Sequence, residues 1–143
     1  MAIIKWLRFP LLLLAVLGSI GLWFFTSPSR AIAEAREESF FTHLHTEKAM
    51  ANVTIAPGRA GPVVITIQLE TTDERPLTAM AVALTLTGPQ AGAAPLVTAA
   101  EHMSDDQWRA TLSIPSPGRW SMGLRIKLSE ADAVTVQSPV LVR

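Results

Sequence analysis

Two imidazoles stand two residues apart at His43 and His45, with a carboxylate at Glu47 and a thioether at Met50. All four are metal-donor types. Thioether selects Cu(I), imidazole serves copper in both oxidation states, and an oxygen donor beside imidazole favours Cu(II). In an extended chain alternate residues share a side, so His43, His45 and Glu47 point the same way, with successive positions about 6 to 7 Å apart. That spacing makes a chelate once the side chains converge. It is equally the spacing of two surface histidines on a solvated leader strand, since His-x-His is a common and unspecific pattern.

Met50 poses a separate question. A straight strand would put about 16 Å between it and His45, too far to share an ion. Joint ligation therefore requires Thr46 to Ala49 to turn. Strand parity sets Met50 on the side of Asn52 and Thr54, opposite Val53 and Ile55, so the thioether is not simple core filler; a single bulge would reverse that parity.

Other residues of the right type carry less. His102-Met103 adjoins the Ser104-Asp105-Asp106 turn and reads as surface. Met80 and Met122 fall in runs of core residues and read as packing. Trp108 and Trp120 read as core. Asn52-Val53-Thr54 matches a glycosylation sequon, but it lies inside an expected strand. The chain has no serine elbow, no phosphate-cradling glycine loop and no carboxylate pair set for acid–base work, so an enzyme is not expected. Asp105-Asp106 is turn chemistry.

The elements that must position these donors follow from periodicity. From Met50 onward apolar residues recur every second position. Val53 and Ile55 share a face, then Val63, Ile65, Ile67 and Leu69, then Met80, Val82, Leu84 and Leu86. A weaker strand is expected near Leu96 to Ala100. Trp108, Ala110, Leu112 and Ile114 follow, then Trp120, Met122, Leu124, Ile126 and Leu128, and last Val134, Val136, Val140 and Val142. Pro57-Gly58-Arg59-Ala60-Gly61, Gly88-Pro89 and Pro115-Ser116-Pro117-Gly118 punctuate them. The expectation is an all-β, immunoglobulin-like β-sandwich of about seven strands. A chain of 143 residues without cysteine holds one ordinary domain that folds without disulfides.

Ahead of the strands lies an uncharged run of 17 residues from Phe9 to Phe25, preceded by Lys5 and Arg8 and bounded by Trp6 and Trp23. As a helix it rises about 25 Å, enough for one transmembrane span. Basic residues before it and Glu34, Glu37 and Glu38 after it put the rest of the chain outside the cytoplasm. A cleaved signal peptide is the competing reading, with Ala31-Ile32-Ala33 as the cleavage site. Either reading exports the domain. The expected organisation is an anchor over 1–25, a connector over 26–40 and an extracytoplasmic domain over 41–143. Without the N-terminal segment and its three cations, nine basic residues face twelve acidic ones, and nucleic-acid binding is not expected.

The stretch His43-Leu44-His45-Thr46-Glu47-Lys48-Ala49-Met50-Ala51-Asn52-Val53-Thr54, followed by Pro57-Gly58-Arg59-Ala60-Gly61-Pro62, resembles the YtkA-like extracytoplasmic C-terminal domain of bacterial copper resistance protein D, of the CopD/YcnJ type. Trp108-Arg109 and Leu112-Ser113-Ile114-Pro115-Ser116-Pro117-Gly118-Arg119-Trp120 share the likeness, as does Phe25-Thr26-Ser27-Pro28-Ser29-Arg30-Ala31, which is similar to the end of the last membrane helix before that domain. The family usually has Asp where Glu47 stands, and its multi-helix membrane core is missing. The resemblance implies an immunoglobulin-like fold outside the inner membrane and a role in copper uptake or tolerance, with His43, His45 and Met50 matching the motif. It carries nothing over to His102 or Met103. The expected function is a membrane-anchored periplasmic copper-binding accessory domain in copper uptake or resistance that holds or hands over copper near the membrane; the chain cannot conduct copper alone, so a separately encoded transporter is the implied partner. The alternative is a metal-free interaction module docking on a membrane transporter or an oxidase-assembly complex.

Overall fold

A computed structural model describes residues 38–143. These residues belong to one compact unit, Glu37–Arg143. The expected anchor, the cleavage site at Ala33 and the connector up to residue 37 lie outside the described residues. Among the described residues no helix is long and apolar enough to cross a membrane.

The described residues are all-β, in two antiparallel sheets compatible with a β-sandwich. Nine strands run in order: β1 Phe40–His45, β2 Met50–Ala56, β3 Gly61–Glu70, β4 Ala81–Thr87, β5 Leu96–Ala99, β6 Glu101–Ser104, β7 Gln107–Ile114, β8 Gly118–Lys127 and β9 Ala133–Val142. One sheet has the order β1-β2-β3-β7-β6 and the other β5-β4-β8-β9. The alternation seen in the sequence sorts side chains to two faces. Val53 and Ile55 of β2, Ile65, Ile67 and Leu69 of β3, and Leu84, Leu124 and Ile126 of the second sheet are fully buried and belong to one hydrophobic cluster.

The expected strands are present, and β1 and β6 are additional. β6 has all four residues exposed, so it lacks the period of two that betrays a strand. It follows β5 after one residue, and the two pair into different sheets. Met80 is a correction: it is 53% exposed, not packed in the core. β4 begins one residue later at Ala81, so the alternation that includes Met80 runs past the strand, while Ala79 is buried instead. Met122, Trp108 and Trp120 are buried as expected. The Trp120 indole N–H donates to the Ser116 carbonyl at 3.1 Å.

Backbone ties fasten β1 at its start. The Gly58 N–H donates to the Glu38 carbonyl, and the Arg143 N–H donates to the Gly58 carbonyl at 3.0 Å. A Cβ at Gly58 would meet the Glu38 carbonyl oxygen at 2.6 Å and the Phe40 nitrogen at 3.0 Å. Those are backbone atoms and cannot swing aside. Gly58→Ala is therefore expected to destabilise the domain by about 1–3 kcal/mol, read as a lower midpoint in a denaturant melt; an unchanged midpoint would mean that this contact relaxes freely.

Candidate metal centre

β1 and β2 form a hairpin, and its register decides what the donors can do. His45 pairs with Met50, His43 with Asn52, and Leu44 with Ala51. Directly opposed residues in an antiparallel pair share a face, with Cβ atoms about 4.5–5.5 Å apart. His43, His45, Met50 and Asn52 thus form a two-by-two block on one side of the sheet, while Leu44, Ala51 and Val53 face the core on the other. The turn that joint ligation requires is present.

Thr46 makes that turn. Its N–H donates to the Ala49 carbonyl at 2.8 Å. Its hydroxyl donates to the same carbonyl at 2.7 Å and accepts from the Ala49 N–H at 2.9 Å. The Lys48 N–H also reaches the hydroxyl, at 3.3 Å. A threonine side chain bonding back to its own turn is a common way to fix a short loop. Lys48 holds the loop to the rest of the domain through Asp132, at 2.7 Å. Both partners are partly exposed, so the pair adds about 0–1 kcal/mol.

The two imidazoles meet edge to face, with ring centroids 4.3 Å apart and planes at 82°. Both histidines are exposed. His43 Nδ1 hydrogen-bonds the Asn52 carboxamide oxygen. Met50 follows the expected parity, on the side of Asn52, but it is buried, at 6% exposed. It stands outside the hydrophobic cluster that Ala51, Val53 and Ile55 join. The Met50 side chain is thus buried although it shares a face with two exposed histidines.

Glu47 stands elsewhere than expected. The extended run ends at His45, and Glu47 lies in the turn, exposed. Among the described residues no three imidazole or carboxylate groups gather closely enough to hold a metal ion, so Glu47 does not close a three-donor set with the two histidines. Glu70 pairs with Met50 from β3 and is half-buried, and it completes no such set either. His102 is exposed on β6 and lies against the Trp108 ring, with centroids 4.7 Å apart, and Met103 is exposed. His102 pairs with Trp108 on β7, and β3 and β7 separate its strand from the hairpin in sheet order.

A shallow groove of about 300 Å³ adjoins the block, lined by Phe41, Asn52, Thr54, Thr66, Gln68 and Gln107. Its lining is uncharged, so it adds no ionic ligand. A larger hollow of about 420 Å³ beside Trp120 and Arg119 involves only the second sheet and residues next to it. Asn52 is the partner of His43 that the sequence did not single out. Its signal was its place two residues beyond Met50, where a hairpin register sets it opposite His43. Comparison with protein families, with curated proteins and with solved structures finds no match to this chain.

Thr46→Ala removes both hydroxyl bonds to Ala49, each worth about 0.5–1.5 kcal/mol. The expected result is faster hydrogen exchange at the Ala49 amide and a lower denaturation midpoint. Unchanged exchange would show that the backbone alone holds the turn.

Proposed function

We propose that this chain is an exported copper-binding domain, membrane-anchored through its N-terminal segment, that holds copper on the β1–β2 hairpin and hands it over to a separately encoded transporter. The observation that carries the reading is the register of His45 against Met50, with the His43 ring beside His45. Two imidazoles and a thioether on one face suit copper by donor chemistry. Copper is cargo in this reading, not a reagent. The donors lie at the His45 end of β1, a strand of six residues and so about 16 Å long.

An immunoglobulin-like fold is part of the same proposal. Taking β2, β3, β4, β5, β6, β7, β8 and β9 as strands A, B, C, C′, D, E, F and G gives sheet orders A-B-E-D and C′-C-F-G, as in that fold. β1 is then an extra edge strand that carries the histidines. The YtkA-like assignment rests on the residues quoted above.

Copper titration of the detergent-solubilised chain tests the function. His43→Ala with His45→Ala is expected to weaken binding by well over tenfold, more than about 1.4 kcal/mol. Both side chains are exposed, so the fold should survive. Equal affinity in the double variant would remove this site and leave the metal-free interaction module as the better reading.

A further inference from the structure

We propose that Asn52 is a positioning residue that presents His43 through Nε2, and that the hairpin is in consequence a Cu(I) site that discriminates against Cu(II). This rests on the copper reading above and adds to it the oxidation state, the ligating nitrogen and a residue outside the donor set.

The inference starts from hydrogen-bond bookkeeping. The Asn52 carboxamide oxygen has no hydrogen and can only accept. Its partner, His43 Nδ1, must therefore carry the ring hydrogen. A neutral imidazole has one N–H and one lone pair, so the lone pair sits on Nε2. A metal-binding histidine is commonly fixed in this way, with its other ring N–H given to a carbonyl or carboxylate that sets ring orientation and tautomer. Asn52 is directly across the strand pair from His43, so the bond is built into the register.

The oxidation state follows from the softness of the donors. The Asn52 oxygen is occupied by the His43 N–H. No carboxylate joins the two histidines among the described residues. What remains is two neutral imidazoles and the neutral, covered thioether of Met50. Soft thioether favours Cu(I), whereas Cu(II) favours nitrogen and oxygen in a tetragonal set. Glu70 stands across from Met50 on β3 but joins no three-donor group with the two histidines among the described residues, so the softness of the sulfur, not the charge of the site, sets the preference.

The test uses the full chain in detergent. The ring tautomer of His43 is read from long-range proton–nitrogen NMR of the metal-free chain. Cu(I) affinity is read anaerobically against a chromophoric chelator, and Cu(II) affinity by paramagnetic resonance titration. The expected results are a His43 ring protonated at Nδ1, tighter binding of Cu(I) than of Cu(II), and a loss of Cu(I) affinity of about ten- to a hundredfold in Asn52→Ala. The Nδ1–H preference should vanish in that variant. Asn52→Asp keeps an acceptor opposite His43 and should retain the tautomer, while its charge narrows the gap between Cu(I) and Cu(II). A proton on Nε2 in the unsubstituted chain, or an unchanged Cu(I) affinity in Asn52→Ala, overturns the positioning role. Tighter binding of Cu(II) through the same two histidines overturns the Cu(I) assignment and leaves the copper reading standing. No binding of copper in either state overturns both.

Discussion

The cross-strand register of the β1–β2 hairpin is the constraint on which the chemistry depends. Side chains alternate with a period of two, so a slip of one residue would send His45 to the core face and Leu44 to solvent. Two independent features hold the register. Leu44, Ala51, Val53 and Ile55 must be buried, and the Thr46 hydroxyl closes the turn at Ala49. The apolar face sets which side is buried, and the turn sets which residues are opposite. Together they put His45 across from Met50.

The same separation of faces lets one short strand serve both stability and function. β1 gives Leu44 to the core and keeps Phe41, His43 and His45 at the surface. It is also an edge strand, so one flank of the imidazole pair meets no neighbouring strand in its sheet. Open edges invite unwanted pairing, and charged or polar side chains are one way proteins limit it. At β1 those polar side chains are the histidines. Met50 is one strand further in and is covered, which suits a soft donor that water would otherwise surround.

Much of this was legible in the sequence, and the misses have physical causes. The strands with one buried face announced themselves through alternation, β3 and β8 most clearly, because each puts four or more apolar side chains into the core. β6 has no buried residue and therefore no period to find. Met80 obeys the alternation of β4 but precedes its first residue, and a pattern in one strand cannot show where its neighbours stop. His43, His45 and Met50 were readable as donor types. Their convergence was not, because it depends on a turn whose key residue, Thr46, is ordinary in composition and special only through its bonds to Ala49. Glu47 shares a side with the histidines only in a straight chain, and here it lies in the turn. Asn52 was invisible as a partner for His43 until the register was known.

X-ray absorption of the copper-loaded chain, recorded beside Met50→Leu, tests the convergence most directly. Imidazole nitrogen together with one sulfur in the first shell, and loss of the sulfur in the variant, is the expected result. A shell of nitrogen and oxygen alone, the same in both proteins, would mean that His43, His45 and Met50 do not act on one ion.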